Sequence, residues 1–180
     1  IRNKGTLVGN ICNASPSADS VPPLFVYGAQ LKAAGPGGER SIPINKFYKG
    51  FKKLDLQANE IITEVQIPVP AADTRAAYLA HTVRKAMDLA IVGIAAQLTL
   101  DEEGVCQDAK VALGAVAVSC VRSPKAEQIL IGNRITEDLA AKAGEAAMAD
   151  CSPIDDVRAS AEYRHDMVRV FTRRAAMAAL

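Results

Sequence analysis

The amino-terminal segment carries small polar residues at a spacing suited to holding a phosphate. Thr6, Gly9 and Asn10 lie close together, and the carboxylate Asp19 ends the segment. Backbone N–H groups and hydroxyls of such a segment can surround a phosphate, and a carboxylate can accept a hydrogen bond from a sugar hydroxyl. Two interpretations stay open. The window from Thr6 to Asn10 is either a phosphate cradle or a simple Gly/Asn turn, and Asp19 either binds a hydroxyl or caps the helix that follows.

Other chemistry-bearing patterns are absent from the sequence. The window lacks the Gly-Lys-Ser/Thr ending of a Walker loop, and it does not match the dinucleotide pattern G-x-G-x-x-G. No nucleophile with an adjacent base and no paired carboxylates stand out, so we predict no catalytic residue. His81 and His165 stand alone and are expected to serve packing or the surface. The cysteines form no C-x-x-C pair, so no metal site is expected from this chain; they are Cys12, Cys106, Cys120 and Cys151.

Composition narrows the class of protein. The chain has 180 residues, a formal net charge of +1 and 49% hydrophobic residues, as expected of a globular protein. Near-neutral charge and 4% aromatic residues argue against a nucleic-acid partner. No apolar run approaches the roughly 18 residues that span a bilayer, so no membrane span is expected. Scattered cysteines indicate reduced thiols and a cytoplasmic location.

The first half must position the polar segment with short elements. We predict loop and turn over the opening segment, then a helix that begins at the Pro22-Pro23 pair and ends at Gly28. Two short strands around the Gly/Pro turn at residues 35–38 form a hairpin. Asn45 to Gly50 is a short helix or turn, and the alternating run from Glu60 to Pro68 is a strand.

The sequence of the second half predicts a small antiparallel sheet followed by three helices. Its strands are expected at 76–83, 90–100 and 105–121, with a turn at 101–104. Ser123 and Thr136 should cap the first two helices, and the third should cover roughly 158–179. Asp155 and Asp156 would cap that last helix, whose apolar stripe is expected at Tyr163, Met167, Val170, Phe171 and Ala178. The fold class is therefore α+β, with a boundary near 71–74 separating domains at 1–72 and 73–180.

Five segments, in order, resemble the FAD-binding subunit of molybdenum hydroxylases, the xanthine dehydrogenase and carbon monoxide dehydrogenase family. Together they cover nearly the whole chain. The first is Ile1-Arg2-Asn3 through Asp19, similar to the second flavin-binding motif of that subunit. The others are the Phe47-Tyr48-Lys49-Gly50 turn, the strand from Glu60 to Pro68, the Arg84-Lys85-Ala86-Met87-Asp88 turn through Val92, and the helix entry from Pro153 to Arg164.

The resemblance implies a fold, a cofactor and partners. The chain would comprise the second FAD-binding subdomain followed by the carboxyl-terminal sheet and three helices, with the first flavin subdomain upstream of Ile1. Electrons would pass from 2Fe-2S clusters to FAD and on to NAD or another acceptor. An iron–sulfur subunit and a molybdenum-cofactor subunit would be the partners. The residues implied to bind FAD are Thr6, Leu7, Val8, Gly9, Asn10, Asn13, Ser15, Asp19 and Ile62.

Two positions depart from the family pattern. Val8 stands where relatives often have the first glycine of a Gly-Gly-Asn run, and a side chain there could narrow the approach to the pyrophosphate. Ala80 stands where some relatives carry a lysine near the flavin. Two other functions remain open: a structural or assembly module of such a complex that binds no flavin, and an unrelated nucleotide-binding α+β protein.

Overall fold

The computed structural model describes residues 3–84 and 86–180. Ile1, Arg2 and Lys85, which belong to two of the family-like motifs, lie outside the described residues. The structure mixes helices with antiparallel sheets, so the predicted α+β class is confirmed. Within the described part of the chain, no helix is long and apolar enough to cross a bilayer.

The first half is built from short elements. They are α1 (Leu7–Cys12), α2 (Val21–Val26), β1 (Gln30–Gly35), β2 (Gly38–Pro43), α3 (Ile44–Phe47), β3 (Tyr48–Gly50), β4 (Lys53–Leu54) and β5 (Ile61–Gln66). Strands β2, β1 and β5 form an antiparallel sheet in that order, and β3 pairs with β4. The hairpin, the proline-started helix and the strand after Glu60 are confirmed. Gly28, at φ +66°, ends α2 in a backbone conformation that favours glycine.

The opening segment was predicted as loop and turn, and that prediction is wrong in part. Residues Leu7–Cys12 form α1, with Thr6 as its N-cap and the buried Ile11 anchoring its inner face. Capping and burial of one large apolar residue outweigh the weak helix propensity of Gly9 and Asn10.

The second half is an antiparallel sheet covered by helices. Its elements are β6 (Thr74–His81), β7 (Val92–Leu100), β8 (Cys106–Gly114), β9 (Val121–Arg122), α4 (Pro124–Leu130), α5 (Glu137–Ala147), a 3₁₀ turn (Met148–Asp150) and α6 (Ala161–Ala178). The strands pair in the order β6-β7-β8-β9. Ser123 and Thr136 cap α4 and α5 as predicted.

Two predictions for this half need correction. The strand expected to run to Val121 ends at Gly114, because Ala115 turns the chain with φ +66° and β9 resumes only at Val121. Helix α6 begins at Ala161, and its predicted stripe is right only in part, since Met167 and Phe171 pack against the core but are not fully buried. Tyr163 and Ala178 are exposed, and the buried residues are instead Arg164, Val168, Thr172, Ala175 and Ala176.

The sheet β6–β9 has a core on each face because side chains alternate along its strands. Ile94, Ala96 and Leu98 belong to the core shared with α4, α5 and α6. Ala95 and Ala112 belong to the core shared with α2 and the amino-terminal sheet. Helix α2 therefore packs directly on β7 and β8, and the residues just before it are held against this sheet.

Candidate functional site

The start of α1 is shaped by a side-chain cap. The Thr6 hydroxyl accepts a hydrogen bond from the Gly9 N–H at 3.0 Å. A Cβ on Gly9 would lie 2.8 Å from that hydroxyl, so only glycine leaves the cap undisturbed. The first turn of α1 contains no acidic residue, so the positive end of this short helix is not neutralised from within.

Asn10 and Asn13 are held by bonds to other segments. The Ser20 hydroxyl donates to Asn10 Oδ1 at 2.6 Å and ties α1 to the start of α2. Lys52 Nζ donates to the backbone oxygen of Asn13 at 2.7 Å and to its Oδ1 at 3.0 Å. The two amides are therefore oriented by contacts with residues distant in sequence.

Asp19 is exposed and does not cap α2. Ser20 is the N-cap residue of that helix, so the capping interpretation of Asp19 is wrong. Its Oδ1 instead accepts a hydrogen bond from the Tyr78 hydroxyl at 2.9 Å. Sequence reasoning missed Tyr78, since nothing local marks a bond between residues on β6 and a loop so far away in the chain.

The remaining predicted residues lie around α1. Ile62 is half-buried on β5, a strand that contacts α1, and it packs against the amino-terminal core. Leu7 is 42% exposed, whereas Val8 is half-buried in the helix. Ser15 lies 3.3 Å from Ser17, oxygen to oxygen, in the loop between α1 and α2. The structure therefore places Thr6 to Asn10 in and before α1, Ile62 on a strand that contacts α1, and Asp19 next to Ser20, which bonds to Asn10. Asn13 is held by Lys52, and Ser15 contacts Ser17.

A mostly apolar cavity of about 580 Å³ adjoins this region. Ser15 and Ser17 form one wall, and Phe51 and Lys52 form another. The other walls come from Leu89, Ala90, Ala115, Ala117, Val118, Ser152, Pro153, Ile154, Asp156 and Arg158. A volume of this size falls in the range of small-molecule sites.

Arg164 lines the cavity and binds to three of the segments around it. Its Nη1 donates to the backbone oxygens of Ile91 at 2.6 Å and Ala115 at 3.1 Å. Its Nη2 pairs with Asp156 Oδ1 at 2.8 Å. The pKa of Asp156 is lowered, first by the Arg158 backbone N–H and then by Arg164. Asp155, by contrast, accepts from the Ala161 N–H at 2.7 Å, so it caps α6 as predicted, together with Ser160.

The turn after β6 is closed by an ion pair. Asp88 accepts a hydrogen bond from the Arg84 backbone N–H at 2.7 Å and pairs with the Arg84 guanidinium at 3.6 Å. The backbone N–H of Arg84 is the first cause of a lowered pKa for Asp88. Ala80, which stands where some relatives carry a lysine, is exposed on β6.

The histidines and cysteines play structural parts. His81 packs between the rings of Tyr163 and Phe171, and His165 lies 3.4 Å from the Cys151 sulfur. All four cysteines are free thiols. Among residues 3–84 and 86–180, no group of three metal-ligating side chains converges.

Comparisons with known sequences match two adjoining families. Residues 1–70 match the FAD binding domain in molybdopterin dehydrogenase, and residues 77–179 match the CO dehydrogenase flavoprotein C-terminal domain. The xanthine dehydrogenase FAD-binding subunit of Escherichia coli O157:H7 is 33% identical over 175 residues, which cover 97% of this chain and 60% of that protein. The chain thus spans about 60% of the length of the curated relatives it matches.

Solved structures give the same picture. The chain matches a reconstituted CO dehydrogenase from Oligotropha carboxidovorans with a TM-score of 0.93 and 32% identity, covering 99% of this chain and 62% of that one. A quinoline 2-oxidoreductase from Pseudomonas putida 86 matches with a TM-score of 0.91 and 33% identity, covering 99% and 61% respectively.

Proposed function

Because the chain belongs to the family of FAD-binding subunits of xanthine and carbon monoxide dehydrogenases, we propose that it forms one part of an FAD site in a molybdenum-dependent hydroxylase. The observation that carries this proposal is the exposed start of α1 beside Asp19. Thr6 and Gly9 leave that helix end free of bulk, and Asp19 lies just before α2, which Ser20 ties to α1. These features suit a ligand with both phosphates and hydroxyls.

The residues near α1 divide the binding between them. Thr6 to Asn10 lie beside the phosphates, and Asn13 and Ser15 supply further polar contacts. Asp19 accepts a hydrogen bond from a cofactor hydroxyl, and Ile62 packs beside the flavin ring. FAD, when bound, supplies the redox chemistry by taking up and releasing electrons, so this chain contributes binding and orientation without a proton-transfer residue.

Val8 stands where relatives often have glycine, yet its side chain does not conflict with this arrangement. It is a helical residue with a half-buried side chain, so part of its bulk is covered by the protein. The Gly9 position, where a Cβ would press on Thr6, is the one that needs glycine. We therefore expect Val8 to be compatible with FAD binding.

We extend the proposal to the whole complex. Electrons would arrive from 2Fe-2S clusters on an iron–sulfur subunit, after substrate oxidation at a molybdenum-cofactor subunit, and would leave to NAD or another acceptor. A further flavin subdomain would complete the FAD site. Free thiols at all four cysteines support a reducing, cytoplasmic location.

The test uses the complete complex as purified. FAD is released, quantified and titrated back, and its reduction by the substrate of the molybdenum subunit is followed by absorbance. We expect stoichiometric FAD and substrate-dependent reduction. Complete complex that binds no flavin would overturn the proposal and leave the structural or assembly role.

A matched pair of variants locates the site. Asp19→Ala removes a hydrogen bond to a charged acceptor, which is worth about 1.5–3 kcal/mol, so FAD affinity should fall about 10- to 100-fold. Asp138→Ala removes an exposed carboxylate on α5 and serves as the control. Equal FAD affinity in both variants would remove Asp19 from the site.

A further inference from the structure

Tyr78 connects the carboxyl-terminal sheet to the proposed cofactor carboxylate. It lies on β6, and its hydroxyl reaches Asp19 Oδ1 at 2.9 Å. An ionised carboxylate can only accept, so the tyrosine is the donor. Burial, followed by the charge of Asp19, raises the pKa of Tyr78 far above its ordinary value, and the hydroxyl keeps its proton.

The Tyr78 side chain lies over a glycine of the neighbouring strand. Tyr78 is paired with Ala95 across β6 and β7, and Gly93 lies two residues along on the same face. A Cβ on Gly93 would be 2.7 Å from the Tyr78 hydroxyl and 3.3 Å from its ring. Gly93 is therefore the space into which the tyrosine extends.

The position of Asp19 opposite Tyr78 is set by how α2 docks. Pro22, in the first turn of α2, sits against Gly114 on β8, where a Cβ would lie only 2.8 Å from the proline ring. Asp19 directly precedes this helix, so close packing of α2 on the sheet brings its carboxylate over β6. Two glycines at the paired ends of β7 and β8, Gly93 and Gly114, thus make room for both ends of the Tyr78–Asp19 bond.

We propose that Tyr78 is a positioning residue for cofactor binding: its hydroxyl occupies Asp19 Oδ1 and fixes the carboxylate so that Oδ2 faces a ligand hydroxyl. This inference rests on the proposed FAD site. Within the described residues, Asp19 Oδ2 has no hydrogen-bond donor, which leaves it for the ligand. Tyr78 does not touch the ligand and acts through Asp19 alone.

The test measures FAD affinity with a panel of FAD analogues that each lack one hydroxyl, using flavin fluorescence and the complete complex stripped of its cofactor. In the unmodified protein, one analogue should bind more weakly than FAD because it lacks the hydroxyl that Asp19 accepts. Tyr78→Phe keeps the ring over Gly93 and removes only the donor. We expect it to weaken FAD about 3- to 10-fold and to narrow the gap between FAD and that analogue.

Two further variants complete the design. In an Asp19→Ala background, Tyr78→Phe should have no additional effect, since the carboxylate it positions is gone. Tyr163→Phe is the control: it removes another tyrosine hydroxyl bond of 2.9 Å, to His81, and should leave FAD affinity unchanged.

The possible results separate the two proposals. Equal weakening of FAD and every analogue by Tyr78→Phe would indicate a purely structural role and overturn this inference, while the FAD site would stand. Unchanged affinity in Tyr78→Phe would overturn it as well. An unmodified complex that binds neither FAD nor any analogue would overturn the proposed function and this inference together.

Discussion

At the residue scale, we expect a substitution of Gly9 to weaken FAD binding while leaving the stability of the fold nearly unchanged. Gly9→Ala should remove the Thr6 cap, at a cost of about 1 kcal/mol, because the added Cβ would lie 2.8 Å from the hydroxyl. Alanine, however, favours a helix interior by roughly 1 kcal/mol over glycine. We therefore expect the free energy of unfolding to change little, while FAD affinity falls about 10-fold as bulk and a displaced hydroxyl enter the helix end.

Gly37→Ala is the matched control for Gly9→Ala, since a Cβ at this hairpin position meets no atom within 4 Å. Thermal unfolding and FAD titration of both variants check the prediction. Gly9→Ala protein that is much less stable but binds FAD with unaltered affinity would contradict it.

Residue types alone indicated part of the proposed site but not the residues that orient it. Thr6, Asn10 and Asp19 were identifiable because small polar residues cluster in one segment. Tyr78 and Lys52, which orient Asp19 and Asn13, carry no local signal. Their partners are brought to them only by the docking of α2 on the sheet and by the β3–β4 turn. Supports of this kind depend on tertiary packing, which a single sequence does not reveal.

At the element scale, the prediction failed where the buried face of a helix contains polar or small residues. Four of the strands and helices with clear punctuation, β1, β2, α2 and α4, lie close to their predicted positions. The buried face of α6, in contrast, includes Arg164 and Thr172 along with small alanines, so hydrophobic periodicity favoured the neighbouring stripe. Arg164 is buried because backbone oxygens and Asp156 compensate its charge, and those partners come from other elements.

Arg164→Met should therefore be strongly destabilising. It would leave the backbone oxygens of Ile91 and Ala115 without this donor, whereas Asp156 keeps the backbone N–H groups of Arg158 and Ala159. A buried acceptor left without its donor typically costs about 1–3 kcal/mol. The exposed pair of Arg173 with Glu137 offers a control, because Arg173→Met should cost at most about 1 kcal/mol. Urea unfolding measures both. Comparable losses in the two variants would show that Arg164 does not hold the cavity walls together.

Acid should weaken the ion pair between Arg40 on β2 and Glu60, the residue just before β5. Arg40 binds both oxygens of Glu60, at 2.8 and 2.9 Å, and this pairing is the main reason that the pKa of Glu60 falls from 4.5 to about 2. A carboxylate with a depressed folded-state pKa stabilises fully above its unfolded-state pKa, and that contribution disappears as the pH falls toward the folded-state value.

Glu60→Gln tests this pH dependence. The variant should be less stable than the unmodified chain at neutral pH, and the difference should shrink between about pH 5 and about pH 3 as the glutamate takes up its proton. Ser41→Ala, at an exposed position on β2 whose hydroxyl bonds to the uncharged Gln30, should instead show a constant offset. Urea unfolding across this range decides, and a Glu60→Gln difference that grows on acidification would contradict the assignment.

At the scale of the whole molecule, the sheet β6–β9 is a shared wall. One face packs on α4, α5 and α6, and the other packs on α2 through Ala95 and Ala112. The sequence predicted a boundary near 71–74 and two domains, and that division remains a prediction. The contacts show that the elements before the boundary are supported by the sheet after it, and the proposed FAD contacts at Asp19 depend on that support.

Gly114→Ala should disturb this shared wall and the site together. The new Cβ would lie 2.8 Å from the Pro22 ring and 3.3 Å from the Gly93 backbone oxygen, so α2 must shift. Overpacking of this kind costs about 1–3 kcal/mol. Because Asp19 moves with α2, we expect lower denaturant resistance together with weaker FAD binding. The same measurements on Gly37→Ala should show neither effect. A Gly114→Ala protein that loses stability yet binds FAD normally would show that Asp19 is positioned independently of α2.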